Sequence, residues 1–230
     1  MAGKDDKATR EDFIHVKTAI IADIHGNLPG LQLVLCDIAA RGIKAIICLG
    51  DLTEGGEQNN EVVTLIRSLS IRTIRGNHDS IHDSRLNEEH EAWLKQLPES
   101  LHDGDLLFTH LSPRRKQLPV TSSVEAWNVF DETDFRLCFI GHLHYPALYG
   151  QACEHHCDAR SYPVDIEVIA LDPTDRYIIS PGAIGYPRGG GLYLRYGIYD
   201  ADAQTMEFIK LDGPLLPYGS CRSTIRDKSK

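Results

Sequence analysis

Residues 16–51 read VKTAIIADIHGNLPGLQLVLCDIAARGIKAIICLGD, and this stretch decides the fold class. Residues 16–22 form a short run of apolar and β-branched side chains that stops at Asp23, the pattern of a buried strand. Asn27 is placed to cap a helix over 28–41, with Pro29 in the first turn, where an amide donor is not needed. Leu31, Leu35 and Ile38 fall on one face at helical spacing, and Gly42 suits the stop. Residues 45–49 repeat the strand pattern and lead into Gly50-Asp51. Strand, helix and strand in such close succession build a parallel sheet with right-handed crossovers.

Outward from this unit, 61–69 reads as a second, shorter helix and 71–75 as a third strand. Polar sequence with helical patches continues to about residue 100. Two further apolar runs, 105–109 and 136–140, enclose a helical stretch at 122–130. Beyond them the strand-like runs 147–150, 164–171, 177–180, 192–199 and 205–211 succeed one another without helices, which predicts a second, mostly antiparallel sheet. The expected organisation is one domain over 15–212 with loosely held termini at 1–14 and 213–230.

The net charge of −9 makes long nucleic acid an unexpected partner, because an acidic surface repels the phosphate backbone. It does not exclude a small phosphorylated substrate, since bound metal ions reverse the local field in a cleft. Of the six cysteines, Cys36, Cys48 and Cys138 lie in apolar stretches, where a reduced thiol behaves as a small core residue. The first eleven residues are polar, and no apolar run approaches the roughly 20 residues that cross a bilayer. A cytoplasmic protein without membrane partners is the expectation.

The chemistry lies at the strand ends. Five apolar runs end in metal-ligating residue types: Asp23-Ile24-His25, Gly50-Asp51, Gly76-Asn77-His78-Asp79, His110, and Gly141-His142-Leu143-His144. In open α/β sheets the ligand crevice lies at the carboxyl ends of the strands, so these distant residues can converge. In extended backbone, residues two apart point the same way, which would pair Asp23 with His25 and His142 with His144. Oxygen donors mixed with imidazoles suit Mn, Fe, Zn or Ni. Seven donors exceed the need of one ion but fit two divalent ions that share a carboxylate. Cys153-Glu154-His155-His156-Cys157 also holds metal-capable residues, although a hairpin tip or loop explains it as well.

The ordered set Asp23-x-His25, Gly50-Asp51, Gly76-Asn77-His78-Asp79, His110 and Gly141-His142-x-His144 resembles the calcineurin-like metallophosphoesterase superfamily, over residues 18–188. Residues 180–188, Ser-Pro-Gly-Ala-Ile-Gly-Tyr-Pro-Arg, resemble a segment of its small bacterial and archaeal phosphodiesterase branch. The resemblance implies an α/β, four-layer αββα sandwich: two facing mixed sheets flanked by helices. It implies a first metal on Asp23, His25 and His144, a second on Asn77, His110 and His142, and Asp51 bridging both. The implied reaction is attack of a metal-bound hydroxide on a phosphate ester.

His78 is the candidate for protonating the leaving group or stabilising the transition state, with Glu54 as its orienting partner and Asp79 as the alternative. Related phosphatase branches carry a phosphate-clamping Arg where this chain has Gly55, so Arg188 is the candidate substrate contact. Leu111 stands where a small residue is common and is expected to narrow the pocket. The preferred substrate is a small phosphodiester. A phosphomonoesterase or protein phosphatase, a dinucleoside polyphosphatase, and a non-catalytic binding scaffold of the same fold stay open as alternatives.

Overall fold

The computed structural model describes residues 17–217 apart from 154, 156, 166, 167 and 190. β1 (Lys17–Ile21) leads through α1 (Leu28–Ala40) to β2 (Ala45–Cys48), and α2 (Asn59–Ser68) leads on to β3 (Arg72–Thr73). A 3₁₀ turn at His78–Ser80 and α3 (Glu88–Gln96) come next, followed by β4 (Ser100–Asp103), β5 (Leu106–Thr109), α4 (Ser123–Glu132) and β6 (Leu137–Ile140). The remaining strands are β7 (Pro146–Gly150), β8 (Arg160–Ser161), β9 (Val168–Ala170), β10 (Tyr177–Pro181), β11 (Leu194–Asp200) and β12 (Thr205–Leu211).

The helix starts follow from their caps. Asn27 Oδ1 accepts from Gly30 N at 3.1 Å, so α1 begins where an orphan amide finds a side-chain partner. Asn87 and Ser122 do the same for α3 and α4, accepting from His90 N and Glu125 N. The buried stripe of α1 is Leu31, Val34 and Ile38, with Leu35 at its edge. α3, β4 and β8 lie in sequence too polar to reveal them.

The strands form two sheets, ordered β3-β2-β1-β11-β12-β9 and β4-β5-β6-β10-β7-β8. β1, β2 and β3 pair in parallel, as do β5, β6 and β10. The expected separate antiparallel sheet after residue 147 does not form. β11, β12 and β9 extend the first sheet, β11 lying antiparallel to β1, while β10, β7 and β8 extend the second. Both sheets are therefore mixed. Hydrogen-bonding register, which sequence periodicity does not encode, allots each late strand to a sheet.

Alternation builds the layers. Ile20 and Ala22 after β1, Phe108 of β5, Phe139 of β6 and Ile179 of β10 point into a core between the sheets. Their neighbours turn outward: Ala19 and Ile21 toward α1 and α2, and Leu107, Cys138 and Ile178 toward α4. Strands buried on both faces read as continuous apolar runs, which is why they are conspicuous in the sequence. The result is two facing mixed sheets flanked by helices.

The expectation of a loose tail from 213 is corrected for 213–217: Pro214 O accepts from Asn27 Nδ2 at 2.9 Å and Leu215 packs against the α1 side of the core. The rest of that tail, and all of 1–14, lie outside the described residues. No helix among the described residues is long and apolar enough to cross a membrane.

Candidate metal centre

The carboxyl ends of β1, β2, β5 and β6, and the 3₁₀ turn after β3, meet at one edge of the sandwich. The loops after β1 and β2 are tied by backbone bonds: Asp23 N to Gly50 O at 3.0 Å, Ile24 N and His25 N to Asp51 O at 2.8 and 3.0 Å, and Gly26 N to Leu52 O at 2.8 Å. Asp79 fastens the third loop to them. One of its oxygens accepts from Asp51 N and Gly76 N, both at 2.9 Å, and the other from Leu52 N at 2.8 Å. Gly76 permits the approach, because a Cβ there would lie 2.1 Å from Asp51 Oδ1.

Burial pushes the Asp79 carboxyl up to about 6, with the Asp51 charge adding to the rise, so it is still ionised at neutral pH. Asp79→Ala leaves three buried amides without acceptors. At about 1 kcal/mol or more each, the expected loss of stability is roughly 3 kcal/mol, a fall in Tm of about 6–12 °C. A thermal melt checks this, and an unchanged Tm would remove Asp79 from the scaffold.

The structure brings together the seven residues expected as ligands. Two groups of ligand atoms, each with all members within 4.8 Å of one another, share Asp51: Asp23, His25, Asp51 and His144 in one, and Asp51, His110 and His142 in the other. Asn77 joins the second group, its Oδ1 lying 2.9 Å from both His110 Nε2 and His142 Nδ1.

The dyads converge for a different reason from the one expected. Asp23, His25, Asp51, Glu54, His142 and His144 all have left-handed backbone, with φ between 51° and 66°. They are not extended, and alternation along a strand does not aim them. Such backbone costs about 1–3 kcal/mol per residue and persists where surrounding bonds hold it. Here the loop-to-loop amide bonds do so, together with His142 N donating to Asp23 Oδ1 at 3.1 Å.

Backbone carbonyls fix the imidazole tautomers. His25 Nδ1 faces Thr53 O and Glu54 O, both at 3.1 Å. His110 Nδ1 faces Leu49 O at 2.7 Å, and His144 Nδ1 faces Tyr186 O at 2.9 Å. A carbonyl only accepts, so each Nδ1 carries the proton, and the neutral rings of His25 and His144 turn their Nε2 lone pairs inward, the arrangement that orients a histidine toward a metal.

Those lone pairs meet other acceptors. His25 Nε2 lies 3.3 Å from His144 Nε2, and His110 Nε2 lies 3.2 Å from Asp51 Oδ2. Asp23 Oδ2 is buried and meets no hydrogen-bond donor among the described residues, and Asp51 Oδ2 is buried beside His110. Lone pairs and carboxylate oxygens crowded together out of water favour a cation, and the residues fit metal ions.

The electrostatics agree. Burial pushes the Asp23 carboxyl up to about 7, helped by the neighbouring Asp51. Burial lowers His25 to about 4; burial and then the charge of His25 lower His144 to about 3. Burial also disfavours the charged form of His110, but Asp51 outweighs it and raises that imidazole to about 9. The same partner, with His25 and His78, overcomes the burial of Asp51 and holds its carboxyl below the usual range. A metal ion between His110 and Asp51 would take the place of that proton.

His78 stands beside the two groups, half-buried. Its Nε2 is 4.0 Å from Asp51 Oδ2, its ring packs edge-on to His25 with centroids 5.1 Å apart, and its Nδ1 meets Glu54 Oε2. Asp79, the alternative partner, is corrected: both its oxygens are taken by backbone amides. Arg188 is exposed at the rim, and its amide donates to His144 O at 2.7 Å. Gly55 is closed off, because a Cβ there would meet the Tyr186 ring at 2.7 Å and His25 Cβ at 2.9 Å.

Tyr186 is a functional residue that sequence reasoning misses. Its ring lies 5.3 Å from that of His25, and its carbonyl orients His144. No sequence signal marks it beyond its place in the 180–188 segment. In the second candidate cluster, Cys153 Sγ donates to His155 O and Cys157 is exposed, while 154 and 156 lie outside the described residues.

Fold and site together define a metallophosphoesterase. The chain belongs to the calcineurin-like phosphoesterase superfamily, whose domain model matches residues 16–204. It is 30% identical over 219 residues to an uncharacterized protein of Methanocaldococcus jannaschii, covering 84% of this chain and 86% of the relative. It is similar to the crystal structure of a metallophosphoesterase from Sphaerobacter thermophilus, at 33% identity and TM-score 0.77, over 86% of this chain and 89% of that one. A hypothetical protein of Pyrococcus horikoshii OT3 shares the fold at 18% identity and TM-score 0.65, over 87% of this chain and 89% of its own.

Proposed function

We propose that this protein is a metal-dependent phosphodiesterase that hydrolyses small phosphodiesters, with Asp23, His25 and His144 holding one divalent ion, Asn77, His110 and His142 holding another, and Asp51 shared between them. The observation that carries the reading is the convergence of two groups of buried ligand atoms on Asp51, in one of which the Nε2 atoms of His25 and His144 lie 3.3 Å apart. Mn, Fe, Zn or Ni bound there supplies Lewis acidity and lowers the pKa of water toward neutrality.

The chain's own groups do the rest. His78 holds a proton at Nε2, facing the centre, and passes it to the departing alkoxide. Glu54, against Nδ1, orients the ring. Arg188 at the rim offers a guanidinium to a phosphate oxygen. Diesters are favoured because the position of the clamping Arg in related phosphatases is Gly55, sealed by Tyr186, so a dianionic monoester finds less positive charge there. The buried reduced thiols Cys48 and Cys138 support a cytoplasmic setting.

With manganese added, bis-(4-nitrophenyl) phosphate is expected to be cleaved with a higher kcat/KM than 4-nitrophenyl phosphate. Equal or reversed preference would overturn the diester assignment. Absence of turnover on both, with metal shown bound, would overturn the enzymatic reading and favour the scaffold.

A further inference from the structure

Beside the centre lies a pocket of about 230 Å³ whose walls include Asn77 and His110. It therefore opens onto the second group of donors. His78 is not among its walls, although Gly76 and Asn77 are, because that ring turns to Glu54 and His25. The other walls are polar, namely Arg75, Ser80, Glu99, Thr109 and Gln117, with Leu111 as the single aliphatic side chain.

Two of these walls are held in place. Arg75 donates through Nη1 to Lys95 O at 2.8 Å and through Nη2 to Glu99 Oε1 at 2.6 Å. Gln117 has left-handed backbone, φ 46°, and its amide donates to Arg114 O at 2.9 Å.

We infer that this pocket binds the retained alcohol arm of the phosphodiester, and that Arg75, Glu99 and Gln117 select an arm bearing hydroxyl groups. The inference rests on the phosphodiesterase reading. Water adds oxygen to phosphorus, the phosphorus–oxygen bond to the leaving arm breaks, and His78 gives that arm its proton. The bond to the arm in the pocket stays intact, so the product is a phosphomonoester of a hydroxyl-bearing alcohol.

The walls supply both donors and acceptors, guanidinium, carboxylate, hydroxyl and amide, which is the complement of vicinal hydroxyls. At ~30 Å³ per water the volume equals about eight waters, room for a five-carbon sugar ring. Leu111 forms the aliphatic wall of this space.

The test compares two diesters with the same 4-nitrophenyl leaving group: one whose second arm is 1,4-anhydroribitol attached through its primary oxygen, and one whose second arm is cyclopentylmethanol. The wild-type kcat/KM is expected to favour the hydroxylated arm at least about tenfold, since hydrogen bonds to charged side chains are at stake. Glu99→Gln and Gln117→Ala are each expected to reduce that ratio severalfold. The ratio is internal to each preparation, so partial unfolding or metal loss cancels. As an independent reading, the side-chain amide resonance of Gln117 should shift with anhydroribitol 5-phosphate and stay put with cyclopentylmethyl phosphate.

A wild-type ratio near one, ratios untouched by both variants, or an unmoved Gln117 resonance overturns the pocket assignment while leaving the phosphodiesterase reading standing. Absence of turnover on both diesters is the separate failure of that reading.

Discussion

An Asp51→Asn protein is expected to lose its metal ions and at least about 10³-fold in kcat, while keeping its fold. Asp51 belongs to both ligand groups, and Asp23 is the other carboxylate of the seven residues. Asn has the same size and can still accept His78 N at Oδ1, as Asp51 does at 2.8 Å, so local geometry survives. The anion between two cation sites does not. Without it, two divalent ions at adjacent positions repel, and the centre no longer stabilises charge developing on phosphorus.

The measurement is metal content per chain by mass spectrometry, paired with turnover of bis-(4-nitrophenyl) phosphate. A thermal melt adds a reading free of catalysis: manganese should raise the Tm of the wild type by mass action and leave that of the variant in place. A variant with two ions per chain and near-native turnover would refute the shared role of Asp51.

The second large effect depends on the leaving group. His78→Ala is expected to slow hydrolysis of an alkyl ester by about 10²–10⁴-fold, the range of general acid catalysis. A 4-nitrophenyl ester, whose leaving phenolate needs no proton, should lose much less. Glu54→Gln should move both rates in the same direction by smaller factors, because it keeps a hydrogen-bonding partner at His78 Nδ1 but weakens the hold on the ring's orientation. Equal losses on alkyl and nitrophenyl esters would show that His78 does not deliver a proton to the departing oxygen.

Much of the site is legible in the chain itself. Asp23, His25, Asp51, Asn77, His110, His142 and His144 can be picked out because two local signals coincide at each: an apolar run that must be a buried strand, and a donor residue type directly after it. Asn27, Asn87 and Ser122 lie just ahead of their helices, although Asn27 alone reads as a cap. The choice of Glu54 over Asp79 as the partner of His78 is not legible. Both are acids close to the ring once the chain is folded, and the backbone amides that occupy Asp79 belong mostly to another loop.

What the amino-acid sequence determined by itself is the inventory and its order: strands apolar on both faces and donors at or just beyond their ends. These depend on residue type and on spacing along the chain. Only the tertiary structure decided which sheet each late strand joins, that the dyads sit in left-handed loops, and that Leu49, Thr53, Glu54 and Tyr186 lend carbonyls to aim the imidazoles. Every residue carries the same carbonyl and every strand the same ladder of donors and acceptors, so their use is settled by which segments are brought together in space.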